Sequence, residues 1–219
     1  MIVMAHMLID YIFDPACPWC FIGKRRLDMA LAMRPGLTPK ISRRPFLLNQ
    51  DIPPEGIDRT AHLIRTFGGE ARARRVHDAV FEIGQSLGID FNFAEIRRLP
   101  NSMNAHRLIR FAERRGKAEE MIEAVFTGYF TDAVDIGDIG VLTGIGENIG
   151  LSGSALGSYL KSDEDVDFIH EENIRVHRLG VNGVPSFIFN ENAVISGAQE
   201  PRVLARVMDA AAAAANSID

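Results

Sequence analysis

Cys17 and Cys20 are the only cysteines in the chain, and Pro18 and Trp19 separate them. Residues three apart share one face of a helix, so the two sulfurs can meet in a short ring. Such a pair admits three readings: thiol–disulfide exchange, half of a metal site, or two small apolar residues without chemistry. A zinc site needs about four ligands. No second cysteine pair exists, and His6, His62, His77, His106, His170 and His177 contain no matching close pair. Exchange chemistry asks for something else. One sulfur attacks a substrate disulfide, or is attacked by a substrate thiol, and the other resolves the mixed disulfide. The two sulfurs must therefore sit in different surroundings.

The flanking sequence supplies that difference. Residues 8–13 (LIDYIF) read as a buried strand, and Asp14-Pro15-Ala16 breaks it. From Pro18 onward Phe21, Ile22, Leu27, Ala30 and Leu31 form a helical stripe. Pro18 suits the first helical position, which makes Cys17 the N-cap. There Cys17 faces unpaired N–H groups and the positive end of the helix dipole, both of which favour a thiolate over a thiol. Cys20, one turn inside, is expected to be buried and less acidic. Pro18 stiffens the turn, and Trp19 offers an apolar plate beside the reacting sulfur. Lys24, two turns beyond Cys17, is placed on the surface. Asp10 is a candidate proton relay, but strand alternation alone leaves its direction open.

Pro35-Gly36 ends the helix, and 38–48 reads as a second strand interrupted at Pro45, completing a βαβ opening. The middle, 52–160, reads as amphipathic helices with hardly any strand pattern, and Asp138 is placed as the cap of a helix ending near Gly150. The end is mixed. A helix is expected from Asp163 to Gly180, a hairpin from strands 186–189 and 193–196, and a last helix from Pro201 into the alanine run 210–215. Val184-Pro185 precedes the hairpin. The proline either ends a loop or forms a cis bond that sets the Val184 backbone beside the sulfurs, where it can pair with a substrate strand. The upstream cysteine pair and the strand, turn, strand, helix that follow favour the second reading. Three segments result: 1–51, 52–160 and 161–219.

The bulk properties narrow the partners. In 219 residues, 47% are apolar and 24% charged, with a formal net charge of −5, which argues against nucleic acid as the main partner. No apolar stretch is long enough to span a bilayer. The start, MIVMAHMLIDYIF, has no basic n-region or small-residue cleavage site and does not read as a signal peptide, so a cytoplasmic location is expected.

Four segments carry a resemblance: DPACPWCFIGKRRLD (14–28), PNSMNAHRLIRFA (100–112), GVNGVPSF (180–187) and ISGAQEP (195–201). They resemble the DsbA-like thioredoxin-fold family, and within it the FrnE-like branch of dithiol oxidoreductases. The resemblance implies an α/β thioredoxin fold (βαβ…ββα) with a large all-helical insertion. It implies Cys17 as nucleophile, Cys20 as resolver and Pro185 as a cis-proline, acting on protein disulfides or small dithiols with no resident cofactor. Asn101, Asn104 and His106 are then candidates for substrate contact, against the plainer readings of a helix cap and a partly buried histidine. The related 2-hydroxychromene-2-carboxylate isomerases and kappa-class glutathione transferases generally carry serine in place of the first cysteine. Such transferases hold the glutathione γ-glutamyl end just before the last helix, where Ala198-Gln199 departs from their Ser-Asp pattern. Glutathione is therefore expected as a redox partner, and a glutathione-dependent isomerase or transferase remains the alternative, with a chaperone-like binding module behind it.

Overall fold

The first strand, β1 (Ala5–Phe13), is an apolar run that stops at the Asp14-Pro15 turn. The computed structural model describes residues 5–215, with side chains from Met7 to Ala214. The outermost residues of the expected segments 1–51 and 161–219 lie outside that range. Helix α1 (Pro18–Ala32) follows the turn, then β2 (Leu37–Pro45). β2 pairs parallel with β1. It ends at Pro45, short of the expected 48.

The chain returns to this sheet near its end. β5 (Ser186–Phe189) and β6 (Ala193–Ser196) form the expected hairpin, giving the strand order β2-β1-β5-β6. β5 runs antiparallel to β1, with Tyr11 opposite Phe187. All four residues of β5 are buried, whereas the edge strand β6 alternates. That contrast is what a central strand covered on both faces and an edge strand should show. Tyr11 stacks between Phe13 and Phe187 at ring separations of 4.6 and 5.4 Å. Ile12, Phe46, Val176, Val181 and Ile188 make one core cluster, with Val184 packed against it. The last helix, α9 (Pro201–Ala215), packs along α1 and buries Leu204, Ala205, Met208 and Ala211 on one face. A two-pronged ion pair, Arg34 to Asp209 at 2.6 Å for each prong, ties the end of α1 to it.

The chain separates into two compact units, Met1–Phe46 with Glu172–Asp219, and Leu47–Glu171. The second unit is built from β3 (Ile57–Asp58), α2 (Arg59–Phe67), α3 (Glu70–Ser86), β4 (Arg98–Leu99), α4 (Met103–Glu113), α5 (Ala118–Phe130), α6 (Ile139–Asn148) and α7 (Gly153–Lys161). β3 and β4 pair as a two-residue antiparallel ribbon inside this helical unit. Asp138 caps α6 as its position implies, accepting the Val141 N–H at 2.8 Å. Helix α8 (Val166–Arg178) starts three residues later than expected and contains the boundary between the units. The delay has a local cause: Asp165 holds a left-handed φ of +65°, which interrupts a helix on its N-terminal side.

Arg107 organises one corner of the helical unit. It is 2% exposed, and its guanidinium gives hydrogen bonds to the carbonyls of Tyr159, Leu160, Ser162 and Glu164 and to Asn104 Oδ1. These carbonyls lie at and just beyond the C-terminus of α7, where orphan acceptors and the negative end of the helix dipole both favour a cation.

Candidate active site at the cysteine pair

Cys17 is the N-cap of α1, in extended conformation, and Pro18 occupies the first helical turn. Its backbone N–H donates to the Asp14 carbonyl at 3.0 Å, and its own carbonyl accepts the Cys20 N–H at 3.0 Å. The first turn of α1 contains no acidic residue, and the Cys17 side chain makes no capping bond to it. The thiol instead points to the Val184 carbonyl oxygen, 3.8 Å away. Both thiols are free and both cysteines are buried, Cys20 completely at 0% exposure. Burial pushes the Cys20 thiol well above its ordinary pKa. A hydrogen bond with Cys17 and the charge on Cys17 add to the rise, a backbone hydrogen bond from Asp14 opposes it, and the Asp14 charge adds again.

The Val184–Pro185 bond is cis, as its place before the hairpin suggested. The Pro185 carbonyl accepts the Gly197 N–H at 2.7 Å, which joins the loop ahead of β5 to the end of β6. Helix α1 comes very close to Pro185. A Cβ on Gly23 would sit 2.7 Å from Pro185 Cγ and 3.0 Å from its Cβ, so the contact requires glycine. Gln199 lies just beyond Gly197 and spends its side-chain N–H on the Ser196 carbonyl at 2.8 Å. Arg26 of α1 bonds to the Ala198 carbonyl and pairs with Glu200. Cys17, Cys20, Val184, Pro185 and the 197–200 loop thus form one connected locus. Pro18 and Trp19, half-buried, belong to its first helical turn.

Asn101, Asn104 and His106 belong to the helical unit, where the two asparagines have structural partners. Asn101 Oδ1 accepts the Met103 N–H at 3.0 Å and its amide reaches the Ile52 carbonyl. Asn104 holds Arg107, and His106 is buried in α4. Two positions beside the cysteine pair gain weight that their sequence context did not suggest. Asp14, read only as a strand breaker, is 1% exposed and its Oδ1 accepts the Ala16 N–H at 2.8 Å. Tyr11, read only as a strand residue, donates its hydroxyl to the Cys20 carbonyl at 2.8 Å and so pins the first turn of α1 to the sheet. An acid and a tyrosine immediately ahead of a cysteine pair are the clues that a reading by strand pattern passes over. Lys24 corrects an expectation. It is 6% exposed, not at the surface, and its ammonium pairs with Asp28 at 2.8 Å. The stretch Cys20–Lys24 is buried at every position, so no solvent face exists in that part of α1.

Asp10, whose direction strand alternation left open, points to the Arg44 guanidinium at 2.8 Å; Arg44 also pairs with Glu172. The carboxylate is thus engaged in an ion-pair network. Among the described residues no group of three or more histidine, cysteine, aspartate or glutamate side chains could hold a metal ion; the His6 side chain lies outside them.

The model of the DsbA-like thioredoxin domain matches residues 8–209 of the chain. The chain belongs to the DsbA-like thioredoxin family. YwbO of Bacillus subtilis (strain 168) is 25% identical over 186 residues, which cover 84% of this chain and 87% of YwbO. A probable DsbA oxidoreductase from Streptomyces coelicolor, SCO1869, superposes with a TM-score of 0.85 at 24% identity, over 94% of this chain and 90% of its own. The cytosolic disulfide reductase DsbM from Pseudomonas aeruginosa superposes with a TM-score of 0.65 at 18% identity, over 96% and 97%, and has also been solved with GSH. This DsbA-like chain therefore carries the thioredoxin fold with its helical insertion. No helix among its described residues is long and apolar enough to cross a membrane.

Proposed function

We propose that this protein is a thiol–disulfide oxidoreductase acting on protein or small-molecule dithiols, with Cys17 as attacking sulfur and Cys20 as resolving sulfur. The observation that carries the reading is the unequal setting of the two sulfurs: Cys17 at the positive end of α1, Cys20 fully buried with its thiol pushed up. In the reductive direction the Cys17 thiolate attacks a substrate disulfide. A Cys17–substrate bond forms, the substrate S–S bond breaks, and one substrate thiolate leaves. Cys20 then loses its proton and attacks Cys17 Sγ. The Cys17–Cys20 disulfide forms, the second substrate thiolate leaves, and two electrons have passed to the substrate. The reverse sequence oxidises a dithiol. A raised Cys20 pKa suits this order, because a protonated Cys20 does not compete with Cys17 for the first attack.

The Val184 backbone beside Cys17 is the edge on which a substrate segment would align, and Pro18 and Trp19 would border it. Glutathione enters as a redox partner, not as a tightly held cofactor. Gln199 brings no acid for a γ-glutamyl ammonium, and the neighbouring Ala198 carbonyl and Glu200 are both engaged by Arg26. The GSH-bound DsbM structure supports a thiol partner of this class, and its cytosolic origin supports the same compartment here. The test is reduction of insulin disulfides by the wild type and two variants. Cys17→Ser is expected to be inactive, and Cys20→Ser to stall after the first attack. Wild-type turnover by Cys17→Ser would exclude the assignment.

A further inference from the structure

The helical unit holds a cavity of about 630 Å³, within the size range of small-molecule sites. Arg59, the first residue of α2, lines it and is 7% exposed. Among the described residues no carboxylate pairs with this guanidinium. It gives one hydrogen bond to the Phe93 carbonyl at 3.3 Å, faces His77 Nε2 at 3.1 Å and contacts the Tyr129 phenol. The adjacent Asp58 spends its carboxylate on the Ala61 N–H. Arg107 makes the contrast: buried more deeply still, it is surrounded by four carbonyls and an amide oxygen, whereas Arg59 keeps donors in hand for something else. Burying a cation without a counter-ion is unfavourable, and an anion in the cavity would offset that cost.

The surroundings specify the anion. Phe93 stacks on Phe91 with ring centroids 4.7 Å apart and 14° between planes, and His77 stacks on Phe93 at 4.9 Å. The Arg59 guanidinium stands 5.2 Å from the Phe93 ring centroid. Aromatic side chains therefore adjoin the cationic group. An arginine can only donate, so His77 Nε2 must accept, which places the imidazole proton on Nδ1 and leaves the ring neutral. Burial and the Arg59 charge act the same way, pushing His77 down to about 4. His77 thus supplies no second positive charge. At the rim Arg74 is neutralised by Glu70 at 2.9 Å and Arg97 pairs with Glu95 at 3.7 Å, while Asp78, also in the lining, acts on His77, so neither rim arginine competes with Arg59 for an anion.

We propose that this cavity binds a small aromatic carboxylate, with Arg59 holding the carboxylate and the Phe91–Phe93 stack receiving the ring. The cavity lining contains neither thiol, so its ligand is independent of the redox reading. Benzoate, with benzamide as a neutral control of the same shape, tests it by amide-shift NMR titration of the full chain. Benzoate should cause saturable shifts at residues 59–97, with benzamide at least about tenfold weaker. Arg59→Gln should abolish the preference for benzoate. Because that buried change can also harm folding, Ala94→Trp provides a second arm: Ala94 is exposed and lines the cavity, so a bulky ring there fills its mouth with Arg59 intact. A folded Ala94→Trp protein should bind benzoate at least about tenfold more weakly. Non-saturable shifts, equal binding of benzamide, or undiminished binding by folded Ala94→Trp would each overturn the proposal.

Discussion

At the residue scale, reactivity is governed by what surrounds each sulfur. Cys20 has no solvent contact, so burial is the largest cause of its raised pKa, and the neighbouring charges modulate the rest. Asp14 is the neighbour best suited to an isosteric test. Asp14→Asn removes the charge while the amide oxygen can still accept the Ala16 N–H. The Cys20 thiol pKa should then fall but stay above the ordinary thiol range, since burial is unchanged. The pH dependence of Cys20 alkylation, compared between Cys17→Ser and the Cys17→Ser/Asp14→Asn double variant, measures this. An unchanged or higher value would remove Asp14 from the electrostatics of the pair. Neither its burial nor that of Lys24 was legible in the sequence. Both are matters of tertiary packing, which helical spacing does not report.

At the element scale, α1 must approach the Val184–Pro185 loop closely enough for Cys17 to meet the Val184 carbonyl, and Gly23 permits it. Two effects compete in Gly23→Ala. Glycine to alanine inside a helix ordinarily gains about 1 kcal/mol. A Cβ set 2.7 Å from the Pro185 ring overpacks the contact, which typically costs about 1–3 kcal/mol. The clash should win, giving a net loss in urea unfolding together with slower disulfide exchange. A variant more stable than the wild type, with full activity, would show that the contact does not constrain the site. The elements around this contact were legible because each carries a local mark: the breaker before Cys17, proline at the first helical position, the turn of the last hairpin. The start of α8 and the end of β2 were less so. Asp165 adopts a left-handed conformation that its residue type permits but does not announce. β2 ends at Pro45, which the apolar residues beyond it concealed.

At the scale of the whole molecule, two partly buried histidines should contribute to the pH dependence of stability. His77 titrates near its ordinary value of about 6.5 in the unfolded chain. In the folded protein burial, and then Arg59, push it down to about 4, against the opposing charge of Asp78. Between these values the unfolded chain binds a proton that the folded protein refuses. Stability should therefore decline as pH falls from about 6.5 to about 4, and the His77 contribution should level off below that. His62, also lowered by burial and by Arg65, acts in the same direction. His77→Gln should flatten the decline in chemical denaturation across that range, and an identical slope would contradict the assignment. Exchange at the cysteine pair is the central claim, and trapping its covalent intermediate tests it most directly. Reduced Cys20→Ser, treated with oxidised glutathione and analysed by intact and peptide mass spectrometry, should carry one glutathione on Cys17, while the wild type resolves the adduct to its internal disulfide. A Cys20→Ser protein that acquires no adduct on Cys17 would contradict the account.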